Sequence, residues 1–247
     1  MSSEDKGRTK SIQLSRRRLL KCGAWLGGGV VWAMKGGIPR SFDLADTAAA
    51  AELGTDFRFV QVSDTHIGFN KAANPDTLGT LQMTIRKIQG LPTTPAFVLH
   101  TGDVSHLSKA EEFDTVQQVM QNASLDVHYV PGEHDVLGDD GSAFFARFNR
   151  DAERKWYSFD HGGVHFVALV NVLNLAPGGL GRLGGEQLDW LAADLRARSA
   201  STPIVIFAHM PLWDAYPQWG WGTDDAAQAL GHMTKFGSVT VLNGHVH

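Results

Sequence analysis

Cysteine is nearly absent from this sequence: one in 247 residues, beside 11 histidines. A single cysteine excludes a disulfide framework, a thiolate zinc cluster and an iron–sulfur centre within one chain. Any bound metal must therefore be held by imidazole and carboxylate. Basic residues are also in short supply, 22 Lys/Arg against 26 Asp/Glu for a net charge of −4. That balance argues against nucleic acid as the main partner, because phosphate affinity comes largely from Lys and Arg. The apolar stretch from Cys22 to Met34 has thirteen residues, four of them Gly, too few to span a bilayer. Internal repeats are missing. The Gly-rich Gly178-Gly179-Leu180-Gly181 lacks the Lys-Ser/Thr of a P-loop and reads as a turn.

What charge there is falls unevenly. Residues 1–21 carry seven Lys/Arg and two Asp/Glu, a balance of +5, leaving 15 against 24, or −9, for residues 22–247. The excess sits in Ser15-Arg16-Arg17-Arg18-Leu19-Leu20-Lys21, ahead of the apolar stretch and an Ala-rich run from Ala45 to Ala51. This order resembles a twin-arginine export signal. The resemblance implies the twin-arginine export machinery as a partner, a periplasmic or secreted product, and no stable membrane span once the signal is cut around residues 45–51. A basic amphipathic or uncleaved anchor is the alternative. On this reading residues 1–50 are signal and linker, and residues 51–247 form one domain.

Past the signal, strands alternate with helices. Strands are expected at Phe57–Ser63, Ala96–Thr101, Val127–Val130, Pro203–Phe207 and Val239–Leu242, with a hairpin from Tyr157–Phe159 to Val164–Asn171. Helical apolar spacing marks Pro75–Gln89 (Leu78, Leu81, Ile85, Ile88) and Gly185–Arg198 (Leu188, Leu191, Leu195), and Asp224–Lys235 also reads as helical. Ser108 and Glu111 suggest a capping box for a helix to about Ala123. The pattern is α/β.

Nearly every expected strand ends in an acidic or imidazole side chain, and in open α/β sheets such ends converge on the ligand crevice. Two or three carboxylates with four or five imidazoles suit two divalent ions better than one tetrahedral zinc. The blocks Asp64-Thr65-His66, Gly102-Asp103, Gly132-Glu133-His134-Asp135, Ala208-His209 and Gly244-His245-Val246-His247, in this order, resemble the calcineurin-like metallophosphoesterase family. The resemblance implies a two-sheet β-sandwich flanked by helices. It also implies hydrolysis of a small-molecule phosphoester, mono- or diester, by a metal-bridging hydroxide. The cofactors would be two divalent or mixed-valence ions (manganese, iron or zinc). Carried over by position, Asp64, His66 and His247 hold one metal, Glu133, His209 and His245 the other, and Asp103 bridges. His134 would be a proton donor or charge stabiliser for the leaving oxygen, with Asp135 orienting its ring. A non-catalytic metal-binding or interaction module on the same fold stays open, and so does the choice among phosphodiesterase, phosphomonoesterase and nucleotidase.

Two features depart from the family pattern. Glu133 stands where the family usually has Asn, replacing a neutral ligand and its amide donor with a charge, unless its side chain turns away. The family also continues with further strands after its last block, so the sequence reads as truncated at its C-terminus. Among smaller signals, Trp213, Tyr216, Trp219 and Trp221 follow His209 closely and could line a pocket or anchor their own loop. His106, where the purple acid phosphatase branch has a metal-binding tyrosine, is a candidate substrate contact. His100, His128 and His165 lie inside strands and read as structural, and Phe144, Phe145 and Phe148 read as core.

Overall fold

In the computed structural model, residues 29–44, 55–150, 154–176 and 179–246 are described. Two mixed sheets face each other. The first has five strands in the order β2-β1-β3-β4-β5: β1 Val30–Lys35, β2 Ile38–Asp43, β3 Phe57–Val62, β4 Val98–His100 and β5 Val127–Tyr129. The second has four, β6-β7-β8-β9: β6 Tyr157–His161, β7 Val164–Ala168, β8 Ile204–Phe207 and β9 Val239–Leu242. The functional ends belong to parallel neighbours, β3-β4-β5 in one sheet and β7-β8-β9 in the other. Helices α1 Thr77–Gln89, α2 Ala110–Asn122, α3 Ser142–Phe148, α4 Gly185–Arg196 and α5 Ala226–Met233 complete the fold.

The two-residue side-chain period of the strands builds the layers. Phe59 and Leu99 of the first sheet meet Phe166, Val205 and Phe207 of the second in the sandwich core. Their neighbours Val60 and Val98 point the other way, onto Leu81, Ile85, Ile88, Phe113 and Val116 of α1 and α2. Ile204 and Ile206 likewise pack under Leu188, Leu191, Leu195 and Met233 of α4 and α5. Two local readings change. Leu78, placed by spacing on the apolar stripe of α1, is 38% exposed, and Thr84 is buried instead. The cap of α2 is Lys109, whose N–H donates to Glu112 (3.4 Å) rather than Glu111; Ser108 is turned away to the His134 carbonyl.

At the amino terminus the structure describes only part of the segment expected to be signal and linker. The positively charged segment 1–28 and the Ala-rich run 45–51 lie outside the described residues. Residues 29–44, read above as the end of a signal and its linker, form the hairpin β1–β2, and β1 pairs antiparallel with β3 from Val30↔Gln61 to Met34↔Phe57. The physical reason is alternation. Val31 and Met34 are fully buried against the two cores, Trp32 donates to Gln61 (3.1 Å), and Gly36-Gly37 supplies the two left-handed residues of a tight turn. Among the described residues no helix is long and apolar enough to cross a membrane.

Candidate metal centre

The loops leaving β3 and β4 continue side by side past the ends of their strands. Asp64 N–H donates to the Gly102 carbonyl, His66 N–H to Asp103 and Ile67 N–H to Val104, at 2.9, 2.9 and 3.0 Å. The first two sequence blocks are thus locked together by backbone alone. Gly244 N–H donates to the His209 carbonyl (3.0 Å) and His245 N–H to Asp64 Oδ1 (3.1 Å), drawing the ends of β8 and β9 onto the same point. Glycine is required at these crossings. A Cβ on Gly132 would overlap the Asp103 carboxylate, and one on Gly244 would overlap Ser63 Oγ. Asp64, His66, Asp103 and His245 all adopt positive φ, 54°, 43°, 51° and 65°. Such left-handed residues cost energy and collect where function demands them.

Two of the expected ligands flank one carboxylate oxygen. Asp103 Oδ2 lies 3.4 Å from His66 Nε2 and 3.5 Å from His209 Nε2. On the His209 side, Glu133 presents Oε2 to His209 Nε2 at 2.8 Å and Oε1 to His245 Nδ1 at 3.0 Å. Glu133 therefore faces the site and does not turn away. The sets Asp64–His66–Asp103 and Glu133–His209–His245 each bring one donor atom per residue to within 4.8 Å of one another. His209 Nε2 and Glu133 Oε2 are at hydrogen-bond distance without hydrogen-bond alignment, and His245 Nε2 is likewise buried without a partner. Donor atoms this close, three of them buried without a hydrogen-bond partner, suit a cation as their shared partner. His209 Nδ1 donates to the Thr101 carbonyl (2.8 Å), which leaves Nε2 as the ligating atom.

The charges agree. Burial pulls the His209 imidazole down, but the Asp103 and Glu133 carboxylates, with Asp64 behind them, raise it well above its ordinary pKa. Burial pushes Glu133 up, yet His209 and His245 hold it far below the usual carboxylate range, and His209 does the same for Asp103. A pocket of three carboxylates that raises the pKa of a fully buried imidazole is a site for positive charge. The floor is dry, with Asp64, Asp103 and His209 buried, while His66, Glu133 and His245 form the partly open side.

His134 stands beside this cluster, its ring centroid 4.8 Å from that of His66. Its Nδ1 donates to the His106 carbonyl at 2.7 Å, so Nε2 is the atom left for chemistry. The orienting group is therefore not Asp135, as expected from sequence. The Asp135 carboxylate accepts from Val104 N–H (2.9 Å), Ser105 N–H (2.7 Å), Ser105 Oγ (2.9 Å) and Gly132 N–H (3.0 Å). It staples the Asp103 loop to the Glu133 turn, although burial, with the charge of Asp103, pushes its pKa up to about 7. His247 lies outside the described residues.

The sequence profile of the calcineurin-like phosphoesterase family matches residues 57–247, which contain every strand that carries a ligand. This chain belongs to the calcineurin-like phosphoesterase family. It is 26% identical over 206 residues to the serine/threonine-protein phosphatase CPPED1 of Bos taurus, covering 75% of this chain and 65% of that protein. It is 21% identical over 155 residues to a 3',5'-cyclic-nucleotide phosphodiesterase of Nostoc sp., covering 62% of this chain and 56% of that one. The chain thus spans between half and two thirds of the length of these relatives. A crystal structure of a dimetal phosphatase from Danio rerio shares the fold, with a TM-score of 0.59 and 18% identity over 78% of this chain and 82% of that one.

Within this calcineurin-like phosphoesterase site, sequence reasoning missed the braces. Asn171, three residues past the end of β7, donates to the Met210 carbonyl (2.8 Å) and Thr223 Oγ1 (2.9 Å), holding the segment after His209. His100, read from the sequence as structural, is such a brace: pushed down to about 3 by burial and by His209, it is a neutral ring whose partner, Thr65 Oγ1 (3.1 Å) between the first two blocks, the sequence did not name. Neither signal is local, because each pair is joined only by folding. Beyond His209, the rings of Tyr216, Trp219 and Trp221 pack edge-on, with centroids 4.9 and 5.1 Å apart, while Trp213 stays half exposed.

Proposed function

We propose that this chain is a hydrolase that cleaves a small-molecule phosphoester, mono- or diester, with two divalent or mixed-valence metal ions. One observation carries the reading: a single buried oxygen, Asp103 Oδ2, stands 3.4 and 3.5 Å from imidazole nitrogens of two separate ligand sets. Asp64 and His66 would hold one ion, with His247 as a further candidate, and Glu133, His209 and His245 the other, with Asp103 shared. Manganese, iron and zinc all suit this nitrogen and oxygen donor set. When bound, the pair supplies Lewis acidity at phosphorus and a water acidified toward neutral pH. The chain does the rest. Thr101 fixes the His209 tautomer, and His134, held through Nδ1, keeps Nε2 available to protonate the leaving oxygen. The names of the relatives, a phosphatase and a cyclic-nucleotide phosphodiesterase, support testing both ester classes.

The test is metal content per chain, with turnover of aryl phosphomonoesters, aryl phosphodiesters and cyclic nucleotides under manganese, iron and zinc. Two ions per chain and activity that collapses in His134→Ala are expected. Metal retained with no turnover of any phosphoester would make the chain a non-catalytic metal-binding module. The Ser15–Lys21 segment further supports export by the twin-arginine machinery to the periplasm or beyond. Residues 1–50 fused to a folded reporter should carry it out of the cytoplasm, and lysine at both Arg16 and Arg17 should stop it.

A further inference from the structure

Glu133 leaves the site with one donor fewer than an asparagine would provide, since its carboxylate, which faces His209 and His245 at 2.8 and 3.0 Å, carries no N–H. An anionic phosphoryl group needs donors on its non-bridging oxygens as well as metal ions. His134 Nε2 is committed to the leaving oxygen in the reading above. A third imidazole stands beside it. His106 lies parallel to His134, with ring centroids 5.1 Å apart and planes at 17°, and sits edge-on to His66 at 5.8 Å. The donor atoms of His66, His106 and His134 fall within 4.8 Å of one another, and all three rings are partly exposed.

The placement of His106 is fixed from both sides of its backbone. Its N–H donates to the Ile67 carbonyl (2.9 Å) and is also within reach of Glu112 Oε2 (3.2 Å), while its carbonyl accepts from His134. Phe69 packs edge-on against the ring at 5.1 Å. Its Nδ1 is buried without a hydrogen-bond partner. A dry position tolerates a bare lone pair better than an unmet N–H, so the neutral ring keeps its proton on Nε2 and presents that donor at the partly open edge.

We propose that His106 is a substrate-binding residue whose Nε2–H donates to a non-bridging phosphoryl oxygen, replacing the donor lost at Glu133. This rests on the phosphoesterase reading. The test compares metal-loaded parent, His106→Phe, which keeps the ring contacts without a donor, and His106→Gln, which restores one. The readouts are kcat, KM, ions per chain and the affinity for inorganic phosphate by calorimetry. The expected result for His106→Phe is an unchanged metal count, kcat within about threefold, and KM and the phosphate dissociation constant both raised about tenfold, the worth of one hydrogen bond to a charged oxygen. His106→Gln should recover most of that loss. Phosphate affinity in His106→Phe equal to the parent's overturns the proposal. A fall in metal count would make His106 a ligand instead, and a fall in kcat at constant KM would make it a support for His134; either overturns it too. If the parent turns over no phosphoester, the phosphoesterase reading fails separately, and phosphate affinity still decides the role of His106.

Discussion

Glu133 sets the charge of the candidate centre. With Asp64 and Asp103 it would oppose three carboxylates to the two divalent ions proposed above, leaving one net positive charge where an asparagine would leave two. The structure turns its side chain onto His209 and His245, so the extra charge is felt by the ions and by an incoming anion alike. In Glu133→Asn, KM for an aryl phosphate should fall by about tenfold, because the amide adds a donor and removes a repulsion. Metal should be released at lower chelator concentration. A clear rise in KM in steady-state assays would refute this account. Asp135 makes a contrasting prediction, because its four accepted hydrogen bonds are structural. Asp135→Ala buries unmet N–H groups of Val104, Ser105 and Gly132 and should cost about 3 kcal/mol in urea unfolding. Full stability with lost turnover would restore a direct role beside His134. At this scale the meeting of Asp64, His66, Asp103, Glu133, His209 and His245 was legible because each follows the end of a strand, whereas the hold on His134 was not. That hold is the carbonyl of His106, and no side-chain type reports what a backbone carbonyl accepts.

Elements were legible wherever period and punctuation agreed. Leu188, Leu191 and Leu195 gave α4, and His161-Gly162-Gly163 gave the turn between β6 and β7, with register His161↔Val164. The hairpin β1–β2 was not legible, because a short apolar run serves equally as leader or strand. Its only discriminating mark is Gly36-Gly37, and its partner β3 begins 20 residues later. The two readings have different consequences. Cleavage at residues 45–51 would remove both strands, uncover the edge of β3 and expose Phe59 and Val60 beneath Met34 and Val31. Val31 and Met34 alone contribute about 4 kcal/mol by burial. A chain starting at residue 45 should therefore unfold roughly 10 °C lower by calorimetry than one starting at residue 29. Equal melting temperatures would show that the sheet does not need the hairpin.

Across the whole molecule, two of the contacts between the sheets have opposite chemistry. At one, the ligand cluster draws Asp64, His66, Asp103 and Glu133 from the first sheet onto His209 and His245 from the second. Ions bound there cross-link the sandwich. Saturating metal should raise the melting temperature by roughly 5 °C or more over chelated protein, an effect lost in Asp103→Ala. At the other, His128 of β5 stacks on Phe159 of β6, with centroids 3.8 Å apart and planes at 12°. Burial, with Arg150 adding to it and Asp126 opposing, lowers the His128 pKa from 6.5 to about 4. The folded state thus rejects a proton that the unfolded chain accepts below pH 6.5. Its contribution to stability is complete above that pH and is lost as the pH falls from there through about 4. The loss amounts to about 3 kcal/mol at most. Carboxylates elsewhere also titrate in this range, so the measurable quantity is a difference. His128→Phe keeps a stacked ring but has nothing to protonate. Urea titrations between pH 7 and 4 should show a shallower acid loss of stability in that variant than in the parent, and parallel curves would remove His128 from the acid sensitivity of the fold.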